Sequence, residues 1–297
     1  MNALLEKSAS LALACLPQHL LTAFVHRLMR VRVRWIKNLQ IRLIARLAGV
    51  NWDEAQSQDL DDYPHFNAFF TRQLRPDARV FDPAADSLCC PCDGRVSEHG
   101  QLDGDRIFQA KGRHFSLQAL LAGDPQSQAW ENGHFFTLYL SPRDYHRVHM
   151  PLDGSLQRMT YVPGRLFSVA PYTVRQVDRL FARNERVISI FETEVGPMAL
   201  VLVGAMLVAG METTWAGEVT PARQRTIHTM DYRSQGIRLA KGEEMGRFNM
   251  GSTVILLLPP GAVRYPPALR AGQAVRLGQE LATLALPDRG FNGGSPP

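Results

Sequence analysis

The sequence predicts an α+β chain: a β-rich domain of mostly antiparallel sheets preceded by an amino-terminal amphipathic helical segment. Three observations predict it. Apolar residues recur at helical spacing through the first fifty positions. Beyond Pro76 the texture changes to short apolar runs separated by turn residues. The 23 Gly and 19 Pro speak against a uniformly helical bundle, and a 45% hydrophobic content over 297 residues supports a sizeable core.

In the first segment, Leu20, Leu21, Phe24, Val25 and Leu28 form one helical stripe. Ile36, Leu39, Leu43 and Leu47 form another. Two or three short helices fit, with Pro17 placed to begin one. No acidic side chain occurs between Lys7 and Asp53, whereas Arg27, Arg30, Arg32, Arg34, Lys37, Arg42 and Arg46 all do. This bias predicts docking on an anionic membrane surface, with Leu, Phe and Trp35 entering the interface; internal packing is the plainer alternative. Nucleic acid is not an expected partner, because no stacking platform or reader module organises the later basic residues. No stretch of eighteen uncharged apolar residues appears, so a peripheral anchor is expected rather than a span. The Ser8 to Leu16 patch follows Glu6 and lacks a small-residue processing site, so export is not expected.

Asp53 to Asp62 reads as a loop or weak helix. Phe66, Phe69 and Phe70 are expected to fasten the helices to the core, although the Arg residues just after them could instead face lipid. The predicted boundary falls between residues 75 and 76, giving a docking segment (1–75) and a β-rich domain (76–297). In the latter, Phe135–Leu140, Val187–Phe191, Met198–Ala209 (one or two strands) and Val254–Leu258 read as strands. Asp93-Gly94, Asp103-Gly104 and Asp153-Gly154 supply turns. Phe115–Ala122 reads as the one core helix, and Phe291–Pro297 as a frayed tail.

Four cysteines are too few and too clustered for a disulfide scaffold. Cys89-Cys90-Pro91-Cys92 lacks zinc-ribbon spacing, so free, partly buried thiols are expected. Neither a dinucleotide fingerprint nor a P-loop is present.

Three places concentrate reactive groups. Asp93 sits in a turn where its carboxylate can orient an imidazole. His146 and His149 follow a strand in Ser141-Pro142-Arg143-Asp144-Tyr145-His146-Arg147-Val148-His149-Met150-Pro151. No HExxH pattern accompanies them, so no metal is expected. Acid–base work suits them better, with Asp93 or Asp144 fixing a tautomer. Ser252 follows Gly251 at the head of the Val254 strand. Alone, a Gly-Ser-Thr tripeptide is only a polar strand entry.

The whole constellation resembles the bacterial type of phosphatidylserine decarboxylase, a pyruvoyl-dependent family. Carrying the resemblance are Pro91-Cys92-Asp93-Gly94, Tyr139 to Pro151, Tyr161-Val162-Pro163-Gly164, Leu180 to Val187, and Met245 to Thr253. Cys92 and Met250 depart from the common pattern but keep modest apolar volume. The resemblance implies cleavage between Gly251 and Ser252, with Ser252 converted to a covalent pyruvoyl cofactor and the large and small chains remaining associated. His146 is the leading base for Ser252, with Asp93 orienting or polarising it, and His146 or His149 is the proton donor in turnover. The substrate would be phosphatidylserine, bound as a Schiff base and released as phosphatidylethanolamine after carbon dioxide leaves. Arg147 and Arg165 are candidates for the lipid phosphate. The expected location is the cytoplasmic face of the bacterial cell membrane, and a homo-oligomer stays open. A serine hydrolase built on Ser252, His146 and Asp93 is the enzymatic rival, although it lacks the G-x-S-x-G elbow. A non-catalytic membrane-surface relative is the other.

Overall fold

The computed structural model describes residues 16–206, 210–220, 225–249 and 252–286. Gly251, Met250, most of the Ser8 to Leu16 patch and the carboxyl-terminal tail lie outside the described residues.

Two helices open the described chain. Helix α1 (Gln18–Leu28) starts directly after Pro17. Helix α2 (Arg34–Ala48) ends at Gly49, whose φ of +73° suits a residue without a Cβ. Their packing inverts the simplest hydrophobic expectation. The buried residues of α1 are the polar Gln18 and Thr22, and those of α2 include Lys37. Burial is tolerated because the polar ends are satisfied. Gln18 Oε1 accepts the Leu166 N–H at 3.1 Å, and Lys37 Nζ donates to the Leu60 carbonyl at 2.7 Å. The apolar stripe is left outward: Leu20, Phe24, Leu39, Leu43 and Leu47 are all exposed.

A short helix, α3 (Phe66–Phe70), is capped by His65, whose Nδ1 accepts the Ala68 N–H. Phe66, Phe69 and Phe70 form a small core with Met29, Ile41, Ala45 and Tyr63. This cluster holds the helices together apart from the main core, and Phe70 reaches the β-rich domain by packing on His146. The nearby Arg72 is buried, with its guanidinium over the Phe69 ring.

The main sheet uses strands β1 (Gly94–Gln101), β2 (His134–Leu140), β4 (Gly154–Val162), β5 (Arg186–Thr193), β6 (Gly196–Val203) and β9 (Ser252–Leu258). A second, smaller sheet uses β3 (Arg147–His149), β7 (Met211–Thr213) and β8 (Glu244–Phe248). In space the main sheet runs β4-β5-β6-β9-β2-β1, with short strands His228–Asp231 and Ala274–Val275 at its edges. Every pairing in it is antiparallel. The continuous apolar runs of β6, β9 and β2 mark central strands, and all seven residues of β9 are buried. Those runs, with the Val187–Phe191 run of β5, made the four main strands legible from sequence.

The Phe115–Ala122 helix is corrected. Phe115 belongs to a strand, Arg113–Ser116, and pairs with Ile107, while the helix covers only Leu117–Leu120. Ser116 Oγ accepts the Ala119 N–H and so starts the helix later than the apolar pattern suggests. The Met198 run forms the single strand β6; its last three residues, 207–209, lie outside the described residues.

Candidate active site

Ser252 is the first residue of β9 and pairs with Leu140, the last residue of β2. From that end of β2 the chain turns through Ser141 to Tyr145 and reaches His146. The Asp144 carboxylate closes this turn by accepting both the Ser141 N–H at 2.7 Å and its hydroxyl at 2.6 Å. The His146 carbonyl then accepts the N–H of Phe248 at 2.9 Å. Phe248 ends β8, four residues before Ser252. Sheet register and turn closure therefore bring His146 and Ser252 to one end of the sheet, although they are far apart in sequence.

Both are fully buried, and both carry an orphan polar atom. Among the described residues, Ser252 Oγ and His146 Nε2 have no hydrogen-bond partner. His146 Nδ1 lies 2.8 Å from the Asp144 carbonyl, which can only accept, so Nδ1 carries the proton and Nε2 keeps a free lone pair. The Phe70 ring packs on the imidazole with centroids 4.1 Å apart. Burial pushes the His146 pKa down to about 3; the Asp144 carbonyl opposes that shift, and the Arg72 charge adds to it. His146 is thus a neutral base with its acceptor nitrogen shielded from water.

Of the two roles expected for Asp93, orienting His146 by contact is absent. No hydrogen bond joins it to His146; the carbonyl of Asp144, rather than a carboxylate, fixes the tautomer. Arg79 claims Asp93 instead, donating Nε–H to Oδ1 at 2.8 Å and pairing Nη2 with Oδ2. The Leu277 N–H adds a third bond at 2.9 Å. Arg79 also binds Glu54 at 2.8 Å. Burial alone would lower the Arg79 pKa, but these two carboxylates outweigh it and raise it. The negative charge of Asp93 reaches His146 through the field, where it favours the protonated imidazole.

His149 sits on β3, partly buried. Its Nδ1–H donates to the Gly242 carbonyl at 2.8 Å, and Nε2 faces the Tyr145 hydroxyl at 3.3 Å. Burial holds its pKa below the usual histidine value and raises that of Tyr145 to about 12. Arg147 is engaged elsewhere: it donates to Glu244 at 2.7 Å and to the Thr71 carbonyl at 2.9 Å. Arg165 lies over the Phe167 ring, 5.3 Å from its centroid.

Sequence reasoning missed several residues that support the site. Asn67 on α3 donates to Asn249 Oδ1 at 2.9 Å, and Asn249 Nδ2 donates to Glu212 at 2.8 Å. These buried amides brace the approach to residue 252. Two isolated Asn residues carry no sequence signal of such pairing, and Arg79 belongs to no motif. Cys89, Cys90 and Cys92 are buried free thiols, more deeply buried than expected. Burial raises the pKa of Cys92 well above normal, so it is an inert thiol.

A shielded hydroxyl and a shielded imidazole lone pair, both unpartnered at one sheet end, define a serine-centred reactive site. A family model described as phosphatidylserine decarboxylase matches residues 66–283, and one described as PSD matches residues 9–47. Similar proteins carry the name phosphatidylserine decarboxylase proenzyme, three of them as follows. That of Nitrosococcus oceani is 52% identical over 271 residues, 91% of this chain and 89% of the relative. The Methylococcus capsulatus protein is 51% identical, covering 90% and 93%. A Pseudomonas putida protein is 53% identical, covering 91% and 95%. The chain belongs to the phosphatidylserine decarboxylase family.

Proposed function

We propose that this protein converts phosphatidylserine to phosphatidylethanolamine and carbon dioxide, using a pyruvoyl group generated from its own Ser252. The observation that carries this reading is a buried, unpartnered Ser252 Oγ and a buried, unpartnered His146 Nε2 at the same end of the main sheet. The site suits the group. Loss of the Ser252 hydroxyl sacrifices no hydrogen bond, and a flat ketone occupies no more space than the side chain it replaces. When present, the pyruvoyl group supplies an electrophilic carbonyl that takes up the electrons left by the departing carboxylate.

Processing follows from the chain's own groups. Ser252 Oγ attacks the Gly251 carbonyl carbon while His146 Nε2 accepts its proton, and the amide becomes an ester with a free Ser252 amine. Removal of the Ser252 α-proton then breaks the Cβ–O bond. Gly251 leaves as a carboxyl terminus, and residue 252 remains as dehydroalanine. Water replaces its nitrogen, ammonia departs, and the pyruvoyl end is complete. The two chains stay together because β9 is hydrogen-bonded on both sides, to β2 and β6.

In turnover, His149 is assigned proton delivery. Gly242 holds Nδ1–H, so Nε2 is the atom that takes up and hands on the transferred proton, and the Tyr145 hydroxyl faces it at 3.3 Å. Asp93, locked by Arg79, acts through its field on His146 rather than by contact.

The segment through residue 75 is proposed to dock the protein on an anionic membrane. Among the described residues, nine of the eleven exposed large hydrophobics fall between Leu16 and Leu47, so the apolar surface is concentrated and not scattered. Exposed Arg27, Arg42 and Arg46 lie on the same two helices, suited to anionic headgroups. Among the described residues no helix is long and apolar enough to cross a membrane. This arrangement fits peripheral attachment at the cytoplasmic face, with residues 76–297 carrying the chemistry and α3 bracing it. The test is incubation with carboxyl-labelled phosphatidylserine. Release of labelled carbon dioxide with matching phosphatidylethanolamine is expected from wild type but not from Ser252→Ala. Release by Ser252→Ala would overturn the assignment.

A further inference from the structure

A cavity of about 320 Å³ opens beside the His146 turn, with Asp144, Tyr145, Asp93 and Gly94 on its wall. Its other wall comes from the end of the helical segment, at Gly49 and Asn51. The charge arrangement inside it is unequal. Arg79 is saturated by Asp93 and Glu54. Arg143 and Arg276 stand at the rim, with more than half of each side chain exposed. Arg72 is different: it is only 4% exposed, and its Nε has no hydrogen-bond partner. Among the described residues no carboxylate comes within ion-pair distance of it, and the Phe69 ring, 5.4 Å from its guanidinium carbon, is its cation–π neighbour. A buried guanidinium with no paired carboxylate, reached by Asp93 and Glu54 only through the field, is costly unless an anion arrives.

We propose that Arg72 is the receptor for the phosphodiester of the lipid headgroup. This rests on the decarboxylase reading above and names the binding contact of that same site. Two anions are present on the substrate, and the chemistry chooses between them. The carboxylate must leave as neutral carbon dioxide, so a buried cation paired to it would stabilise the ground state and oppose reaction. The phosphodiester is unchanged by reaction, and its two unesterified oxygens match the guanidinium fork. Holding it beside the His146 turn anchors the headgroup without pairing Arg72 to the serine carboxylate. The cavity also lies at the end of α2, where a headgroup can enter from a surface on which the acyl chains remain.

The test compares full-length wild type, Arg72→Met and Arg72→Lys. Self-cleavage is checked first, then turnover of a short-chain soluble phosphatidylserine, then inhibition by glycerophosphoethanolamine and by serine. The first inhibitor has the phosphodiester without the carboxylate, and the second the reverse. Arg72→Met should mature, melt no lower than wild type, and raise KM on the order of 10- to 100-fold with a smaller change in kcat. It should lose inhibition by glycerophosphoethanolamine and retain that by serine, with Arg72→Lys intermediate. An unchanged KM in Arg72→Met overturns the proposal. So does loss of serine inhibition alone, which would make Arg72 a carboxylate receptor. An unstable Arg72→Met beside an Arg72→Lys with wild-type constants would make it a structural cation and also refute the assignment. Calorimetric binding of glycerophosphoethanolamine to wild type, absent in Arg72→Met, stands apart from turnover. A wild type that binds the diester but releases no carbon dioxide would therefore count against the decarboxylase reading alone.

Discussion

Acidification should weaken this protein through His146 by an amount the structure sets. The imidazole is fully buried, and burial holds its pKa at about 3, against about 6.5 in an unfolded chain. Between those values the unfolded chain binds a proton that the folded protein refuses. The stabilisation is therefore complete above the unfolded pKa and is lost as pH falls toward the folded one. From pH 8 to pH 5 this single group should cost about 2 kcal/mol. His149, whose pKa is also lowered, acts with the same sign, so a variant is needed to isolate the effect. Urea unfolding of Ser252→Ala, which keeps the chain in one piece, gives the reference. The same protein with His146→Leu gives the comparison. Leucine leaves the Asp144 carbonyl without its donor at every pH, so its cost shifts both curves equally and cancels in the difference. The reference should lose about 2 kcal/mol more than the His146→Leu protein over that pH range. Equal losses in the two would mean that His146 titrates as an exposed histidine does, and the picture of a shielded neutral base would be wrong.

Other consequences follow from particular contacts. Asn67→Ala removes the donor to buried Asn249 Oδ1, and should cost about 1–3 kcal/mol by chemical denaturation and slow self-cleavage several-fold on a gel time course. Gly94→Ala places a Cβ 2.3 Å from the backbone oxygen of Tyr139 at a φ of +155°, so it should destabilise by more than about 2 kcal/mol in thermal melts and delay maturation. Changing Leu20, Phe24, Leu43 and Leu47 together to Ser should leave the melting temperature within about 2 °C, since all four are exposed. The same change should weaken sedimentation with anionic vesicles on the order of 1000-fold, at about 1 kcal/mol for each of the four side chains removed from the interface. Wild-type vesicle binding by that variant would remove the docking surface.

The parts of this molecule legible in its sequence are those governed by local periodicity. Strands β2, β6 and β9 are central and covered on both faces, so their apolar runs stand out, and Pro259-Pro260-Gly261 marks the end of one of them. The two amino-terminal helices were visible for the same reason. Which face they bury was not visible, because Gln18 and Lys37 are accepted inside by Leu166 and Leu60, partners distant in sequence. The short helix at Leu117 was overestimated because Phe115 continues its apolar pattern while pairing as a strand. At the site, the reactive types and their loops were readable, but the wiring was not. Asp93 and Asp144 were equivalent candidates to orient His146, and only the folded chain reveals that Arg79 captures one carboxylate while the other's backbone carbonyl holds the imidazole. Arg72 lacked any signal at all, since an Arg in a Thr-Arg-Gln-Leu-Arg run looks like surface until its burial is known.

The central claim is that the hydroxyl of Ser252 cuts the chain ahead of it and becomes a ketone. Intact-mass spectrometry of purified, active protein tests it most directly. Two associated chains are expected, the smaller beginning at residue 252, lighter than an unmodified serine start by one ammonia and refractory to stepwise amino-terminal sequencing. An active sample consisting of a single uncut chain, or a small chain opening with an ordinary serine amine, would contradict the account.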